Sequence, residues 1–133
     1  VSDRCDLSII LPAYHEAETL RSLLPRIRDN ADCLTPYYEI LVVDAIDAVD
    51  STPTVCQECG VRYLVRAGSN SYGDALRTGI RESQGEYIVI MDADGSHSPD
   101  DISRMWRLKE DYDVIIGSRY TAGGKTEVHA GLT

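Results

Sequence analysis

At 133 residues the chain is long enough for one domain with its own hydrophobic core. It is 43% hydrophobic and 26% charged, with eight Tyr, one Trp and no Phe, which suits a folded globular protein. The net charge of −9 argues against a nucleic-acid-binding surface, which needs a basic stripe, yet admits a small phosphorylated ligand held through a cation. No apolar run approaches the ~18 residues of a membrane span, and no signal peptide is visible, so a cytoplasmic location is expected.

LSIIL, residues 7–11, reads as a short buried strand stopped by Pro12. From Glu16 to about Asp29 the apolar residues Ala17, Leu20, Leu23, Leu24 and Ile27 recur at helical spacing, and Pro25 predicts a kink or an early end. YEILVV, residues 38–43, is a second strand running into Asp44. Thr52-Pro53 predicts a helix start, with Thr52 as N-cap and Pro at the first helical position, and Gly60 closes that helix. VRYLV at 61–65 is a third strand. A helix follows over Ser71–Gln84 with Gly85 at its C-cap position.

EYIVIM, residues 86–91, is the fourth strand. Ser98-Pro99 opens a further helix, with Asp101 in a capping-box position three residues after Ser98. DVIIG, residues 113–117, is a fifth strand, and from Ser118 to Thr133 no period is visible. Nearly continuous apolar strands alternating with helices predict an α/β fold, a mostly parallel sheet with helices on both faces. Of the four cysteines, Cys56 and Cys59 alone have ligand-like spacing. With no second pair to complete a zinc site they read as reduced thiols, a metal or redox role being the alternative.

Ligands of such folds gather at the carboxyl ends of strands. Three ends here are conspicuously polar: Tyr14-His15-Glu16, Asp44 with Asp47 and Asp50, and Asp92-Ala93-Asp94. Neither a G-x-G-x-x-G turn nor a P-loop is present, so any diphosphate is held by another device. Asp92 and Asp94, one residue apart just past a strand, supply hard oxygens suited to Mg²⁺ or Mn²⁺ bridging two phosphate oxygens. Helix capping or simple solvation is the alternative for so short a motif.

SIILPAYHEAETL, EILVVDA, NSYGDALRTGI, GEYIVIMDADGSHSPDDI and DVIIGSRYTAGG follow one another in this chain as they do in family 2 glycosyltransferases. Over about residues 7–124 the sequence resembles that family, and within it the polyprenol-phosphate sugar transferases. The resemblance implies a GT-A (Rossmann-like) fold, a divalent metal, and inverting transfer of mannose or glucose. The donor would be a nucleotide-diphosphate sugar (GDP-mannose or UDP-glucose) and the acceptor a polyprenol or dolichol phosphate. With such an acceptor comes a peripheral contact at the cytoplasmic face of a membrane.

Carried onto this sequence, the resemblance assigns Pro12, Ala13, Tyr14 and Glu16 to the first donor-binding loop, and Asp44 to the base. Asp92, Ala93 and Asp94 fall to the diphosphate, with Asp92, Asp94 and Ser96 as metal ligands. Asp94 and Arg119 are assigned to the chemistry, Arg119 as a cation for phosphate. Asn70 and Gly73 echo a turn that shapes a loop near the donor. Plainer readings stand beside these: Glu16 as a first-turn acid favoured by the helix dipole, Arg119 as a surface residue, and His97 as a lone histidine without a catalytic role.

Two departures mark the chain. His15 replaces the family's usual Asn, and residues 44–52 read DAIDAVDST in place of D-D-G-S-T-D-G-T. The second acid is therefore Ala45, and Asp47 or Asp50 is left to take its place at the base. Nine residues follow Gly124 where many relatives continue into an acceptor-side segment. Residues 1–133 thus read as a single nucleotide-sugar-binding domain lacking that segment, either a fragment or a minimal variant. Two rival functions remain at this point: a nucleotide-sugar-binding module without turnover, and a nucleotidyltransferase, whose usual Gly-rich basic first loop is missing.

Overall fold

The computed structural model describes residues 4–118 and 127–131. In chain order these form β1 (Leu7–Pro12), α1 (Ala17–Asp32), β2 (Tyr38–Asp44), α2 (Thr52–Cys59), β3 (Arg62–Val65), α3 (Tyr72–Glu82), β4 (Tyr87–Ile90), α4 (Asp100–Trp106), β5 (Val114–Ser118) and β6 (Glu127–Gly131). Strands β3-β2-β1-β4 make a parallel sheet in that order. The alternation of strands and helices read from the sequence is therefore observed.

Leu7, Ile9 and Leu11 of β1 pack with Leu20, Leu24 and Ile27 of α1, Val55 of α2 and Ile102 of α4. On the other face Ile10 and Val43 meet Ala75 of α3. Both faces of the central strands are thus covered, and all six residues of β1 are buried, as continuous apolarity requires. The chain builds outward from β1 to β2 and β3, then crosses back through α3 to lay β4 on the other side of β1. That reversal opens a crevice at the carboxyl ends of β1 and β4, the place where such sheets take ligands.

Several local expectations are corrected. Helix α1 runs through Pro25 to Asp32. Pro25 lies on the exposed side, and the buried row around it outweighs the ~3 kcal/mol that an internal proline costs. The residue before α2 in the cap position is Ser51, and Thr52 is its first residue. Helix α3 ends at Glu82 with an extended Ser83, so Gly85 is no cap. Gly85 is required by close approach, because a Cβ there would meet the Ser8 backbone nitrogen at 2.5 Å. Ser98 accepts from the Asp100 N–H, though Pro99 holds the cap position of α4.

The largest correction concerns the C-terminal strands. β5, expected in the parallel sheet, pairs antiparallel with β6 in a separate two-stranded sheet. β6, EVHAG, is only five residues long and ends in Ala-Gly, both poor strand formers, and its antiparallel pairing with β5 is not announced by local pattern. No described helix is long and apolar enough to cross a membrane.

Candidate functional site

All three polar strand ends found in the sequence lie along the carboxyl edge of the parallel sheet. After β1, Pro12 closes the strand and Ala13 is buried, its N–H donating to the Val43 carbonyl at 2.9 Å. Tyr14 is half-exposed and stacks obliquely against His15, ring centroids 4.2 Å apart. His15 has φ 53°, the left-handed region that Asn, Asp and His enter more readily than other side chains. The His-for-Asn departure therefore keeps a residue compatible with that backbone.

Past β4, Ala93 turns into the core, which turns Asp92 and Asp94 away from it. Asp92 accepts a long hydrogen bond of 3.4 Å from the Tyr72 hydroxyl, and its N–H donates to His97 Nδ1 at 3.3 Å. His97 Nε2 stands 3.9 Å from Asp92 Oδ2. Asp94 Oδ1 accepts from the Ser96 N–H at 2.9 Å. Ser96, through its side chain and backbone, holds the Asp94 carboxyl below the usual carboxylate range. The turn closes at Gly95, φ 82°, where a residue with a Cβ is strained.

Glu16, half-buried, has its carboxyl pushed up first by burial, then by the negative charges of Asp94 and Asp50. The β1 and β4 loops therefore bring like charges together, an arrangement typical of sites that receive a cation. Among the described residues no group of three or more His, Cys, Asp or Glu is arranged to hold a metal ion. Two carboxylates, half-buried Asp92 and exposed Asp94, still form a donor set of hard oxygens that fits Mg²⁺ or Mn²⁺ when phosphate and water complete the coordination.

The 44–52 loop is ordered differently from what a base-contacting loop suggests. Asp44 is fully buried; its Oδ1 accepts from the Ala45 N–H at 2.9 Å and its Oδ2 from the Tyr63 hydroxyl at 2.8 Å. Asp50 accepts from the Ala17 N–H at 3.2 Å and from the N–H and hydroxyl of Thr52. Asp47 accepts from Asn70 Nδ2 at 2.9 Å, while Asn70 Oδ1 accepts from the Ile46 N–H at 2.6 Å. The three acids thus hold the loop together. Asn70 shapes it, as its place in the sequence suggests.

Arg119 lies outside the described residues, as does the Gly123-Gly124 pair. Three residues not singled out by sequence reasoning enter the site. Tyr72 touches Asp92, Tyr63 fixes Asp44, and Arg66 lies buried at the end of β3. Only Tyr72 had a signal, its place in the NSYGDAL segment. Cys56 is buried and Cys59 half-buried on α2, and all four cysteines are free thiols.

Comparison with known proteins bears on this edge. A dolichol-phosphate mannosyltransferase from Pyrococcus furiosus is 38% identical over 126 residues, 91% of this chain and 35% of that protein. An undecaprenyl-phosphate mannosyltransferase from Micrococcus luteus is 34% identical over 87% of this chain and 49% of its own length. The chain therefore spans between about a third and a half of these relatives. Glucosyl-3-phosphoglycerate synthase from Mycobacterium tuberculosis, solved with Mn²⁺, uridine diphosphate and phosphoglyceric acid, superposes with a TM-score of 0.66. It is 22% identical and covers 79% of this chain and 39% of its own. The fold is that of the GT-A glycosyltransferases. The model of Glycosyl transferase family 2 matches residues 8–130, and the chain belongs to that family.

Proposed function

We propose that the chain is the donor-binding part of a metal-dependent, inverting glycosyltransferase. It moves mannose or glucose from GDP-mannose or UDP-glucose to a polyprenol or dolichol phosphate. The observation that carries this reading is the pair at the end of β4, half-buried Asp92 and exposed Asp94, with Glu16 of the β1 loop adding its charge beside Asp94. Relatives named for dolichol-phosphate and undecaprenyl-phosphate transfer support the acceptor class. The Mn²⁺ and uridine diphosphate in a structural neighbour support the donor and the metal.

Asp92 and Asp94 would hold the divalent ion, with Ser96 beside them. Bound there, such an ion supplies Lewis-acid neutralisation of a leaving diphosphate. The Ser96 contact keeps Asp94 ionised, so its oxygens remain available as ligands. The Tyr72 hydroxyl and His97 restrain the Asp92 loop, which fixes where the carboxylate points. Pro12, Ala13, Tyr14 and Glu16 form one wall of the crevice, and Arg119 is the cation assigned to phosphate. No general base is needed, because a phosphate monoester acceptor, with a second pKa of about 6, is mostly dianionic at neutral pH.

A second reading, a nucleotide-sugar-binding module without turnover, is favoured by the full burial of Asp44 and the engagement of both its carboxylate oxygens. Sugar-nucleotide hydrolysis and transfer to polyprenyl phosphate, followed with and without Mn²⁺, separate the two. Metal-dependent turnover abolished in Asp92→Ala and Asp94→Ala supports the enzyme. Binding without turnover supports the module, and full activity in either variant contradicts the assignment of the pair.

A further inference from the structure

We propose that Arg66 is a positioning residue for the nucleoside side of the site: a buried guanidinium that ties the loops after β1, β2 and β3 into one preformed frame. This rests on the donor-site reading above. Arg66 is only 8% exposed. Its Nη2 donates to the Ala13 carbonyl at 2.7 Å, and its Nη1 to the Asn70 carbonyl at 2.8 Å and, at 3.5 Å, to that of Ser71. Its backbone N–H donates to the Asp44 carbonyl at 3.0 Å.

The connection extends one step further. Asn70, held by its carbonyl, uses both ends of its side-chain amide to bind Ile46 and Asp47 in the 44–52 loop. A continuous set of hydrogen bonds therefore runs from Ala13 through Arg66 and Asn70 to Ile46 and Asp47. Tyr14 and Glu16 follow directly from the first of these anchors.

The chemistry of the contact favours placement over stability. Every side-chain acceptor that Arg66 uses is a neutral carbonyl, whereas a buried cation is most stable against a carboxylate. Its Nε is buried without a partner among the described residues, and such a donor carries a cost. A methionine would fill the same space without either burden. What an arginine adds is a rigid fork that reaches carbonyls on two loops at once, which a lysine ammonium, a single point of charge, does not reproduce. Loops held in place beforehand need not be ordered when a ligand arrives. Asp92 and Asp94 hang from β4 and take no hydrogen bond from this fork; its link to them runs indirectly, through Ser71 to Tyr72. The nucleoside side therefore depends on it more than the metal and diphosphate side does.

The test uses Arg66→Met and Arg66→Lys in the whole chain, by amide hydrogen exchange without ligand and by calorimetry with UDP, GDP and Mn²⁺-pyrophosphate. In both variants the Ile46 amide and those of residues 67–71 exchange about tenfold faster, while Ile9 and Val42 keep their protection. Affinity for whichever of UDP or GDP the wild-type protein binds falls about tenfold, and that for Mn²⁺-pyrophosphate stays within about twofold. Unchanged loop exchange, a uniform rise through the core, or wild-type behaviour in Arg66→Lys overturns the frame. Equal losses for nucleotide and pyrophosphate overturn its assignment to the nucleoside side. If the wild-type protein binds no nucleotide, the donor-site reading fails, and hydrogen exchange alone decides whether Arg66 ties the loops.

Discussion

Asp50→Ala is the substitution that most directly probes how the altered 44–52 loop is built. Asp50 lies 33 positions from Ala17, yet it serves as the missing cap of α1, where Glu16 makes no side-chain cap bond. The same carboxylate receives the N–H and hydroxyl of Thr52 at the start of α2. Ala17 is 5% exposed and Thr52 fully buried, so water does not readily replace what is lost. Losing a cap costs ~1 kcal/mol at each helix, and a buried hydroxyl left without its acceptor adds ~1 kcal/mol. The total is about 3 kcal/mol, or a fall in Tm of about 10 °C.

Asp50→Asn keeps an acceptor oxygen and should lose roughly a third as much. The pH dependence has a definite sign. Burial pushes the Asp50 carboxyl up, but the bonds from Thr52 and Ala17 prevail and hold it below the usual range. A depressed folded pKa gives stability that is complete above the unfolded value of about 3.9 and is lost as pH falls through the folded one. Urea denaturation at pH 7 and below should show the gap between wild type and Asp50→Asn narrowing in acid. An Asp50→Ala protein within about 0.5 kcal/mol of wild type, or a gap independent of pH, refutes the reasoning.

Other expectations follow from single contacts. A Cβ at Gly79 would stand 2.5 Å from Ile10 Cγ2, so Gly79→Ala should lose about 1–3 kcal/mol in urea by overpacking α3 on β1. Tyr63→Phe removes the hydroxyl that faces buried Asp44 and should lose about 1–3 kcal/mol at neutral pH. Burial, then Asp44, raises the Tyr63 phenol; its stabilisation is complete below the unfolded pKa of about 10 and is lost as pH rises through the folded one, an alkaline loss absent from the Phe variant. Burial, followed by the influence of Cys59, pushes the Cys56 thiol up to about 12. Mass-spectrometric mapping after thiol labelling at pH 8 should find exposed Cys33 modified in the native protein and Cys56 only after unfolding.

The parallel sheet was legible because β1, β2 and β4 are mostly apolar, and the acidic turn was legible because Asp92 and Asp94 follow directly on a strand end. What could not be read is long-range. Asp44 looks like a site acid in one dimension, but its burial is set by Tyr63 from the neighbouring strand. Arg66, in the polar stretch VRAGSN, looks exposed until β1 brings the Ala13 carbonyl to it across 53 positions. The reading that Asp47 or Asp50 replaces the family's second acid met a similar limit, since both carboxylates are engaged within the fold. Helix α1 continues past Pro25 because buried neighbours hold it, a tertiary effect that propensity alone misses.

Calorimetric titration with GDP-mannose and UDP-glucose, with and without Mn²⁺, on wild type and Asp94→Ala, tests the central claim most directly. The account predicts binding of one donor that requires the metal and is lost in Asp94→Ala, whose fold stays intact because the carboxylate is exposed. Binding that ignores both the metal and Asp94, or no binding to either donor, would contradict it.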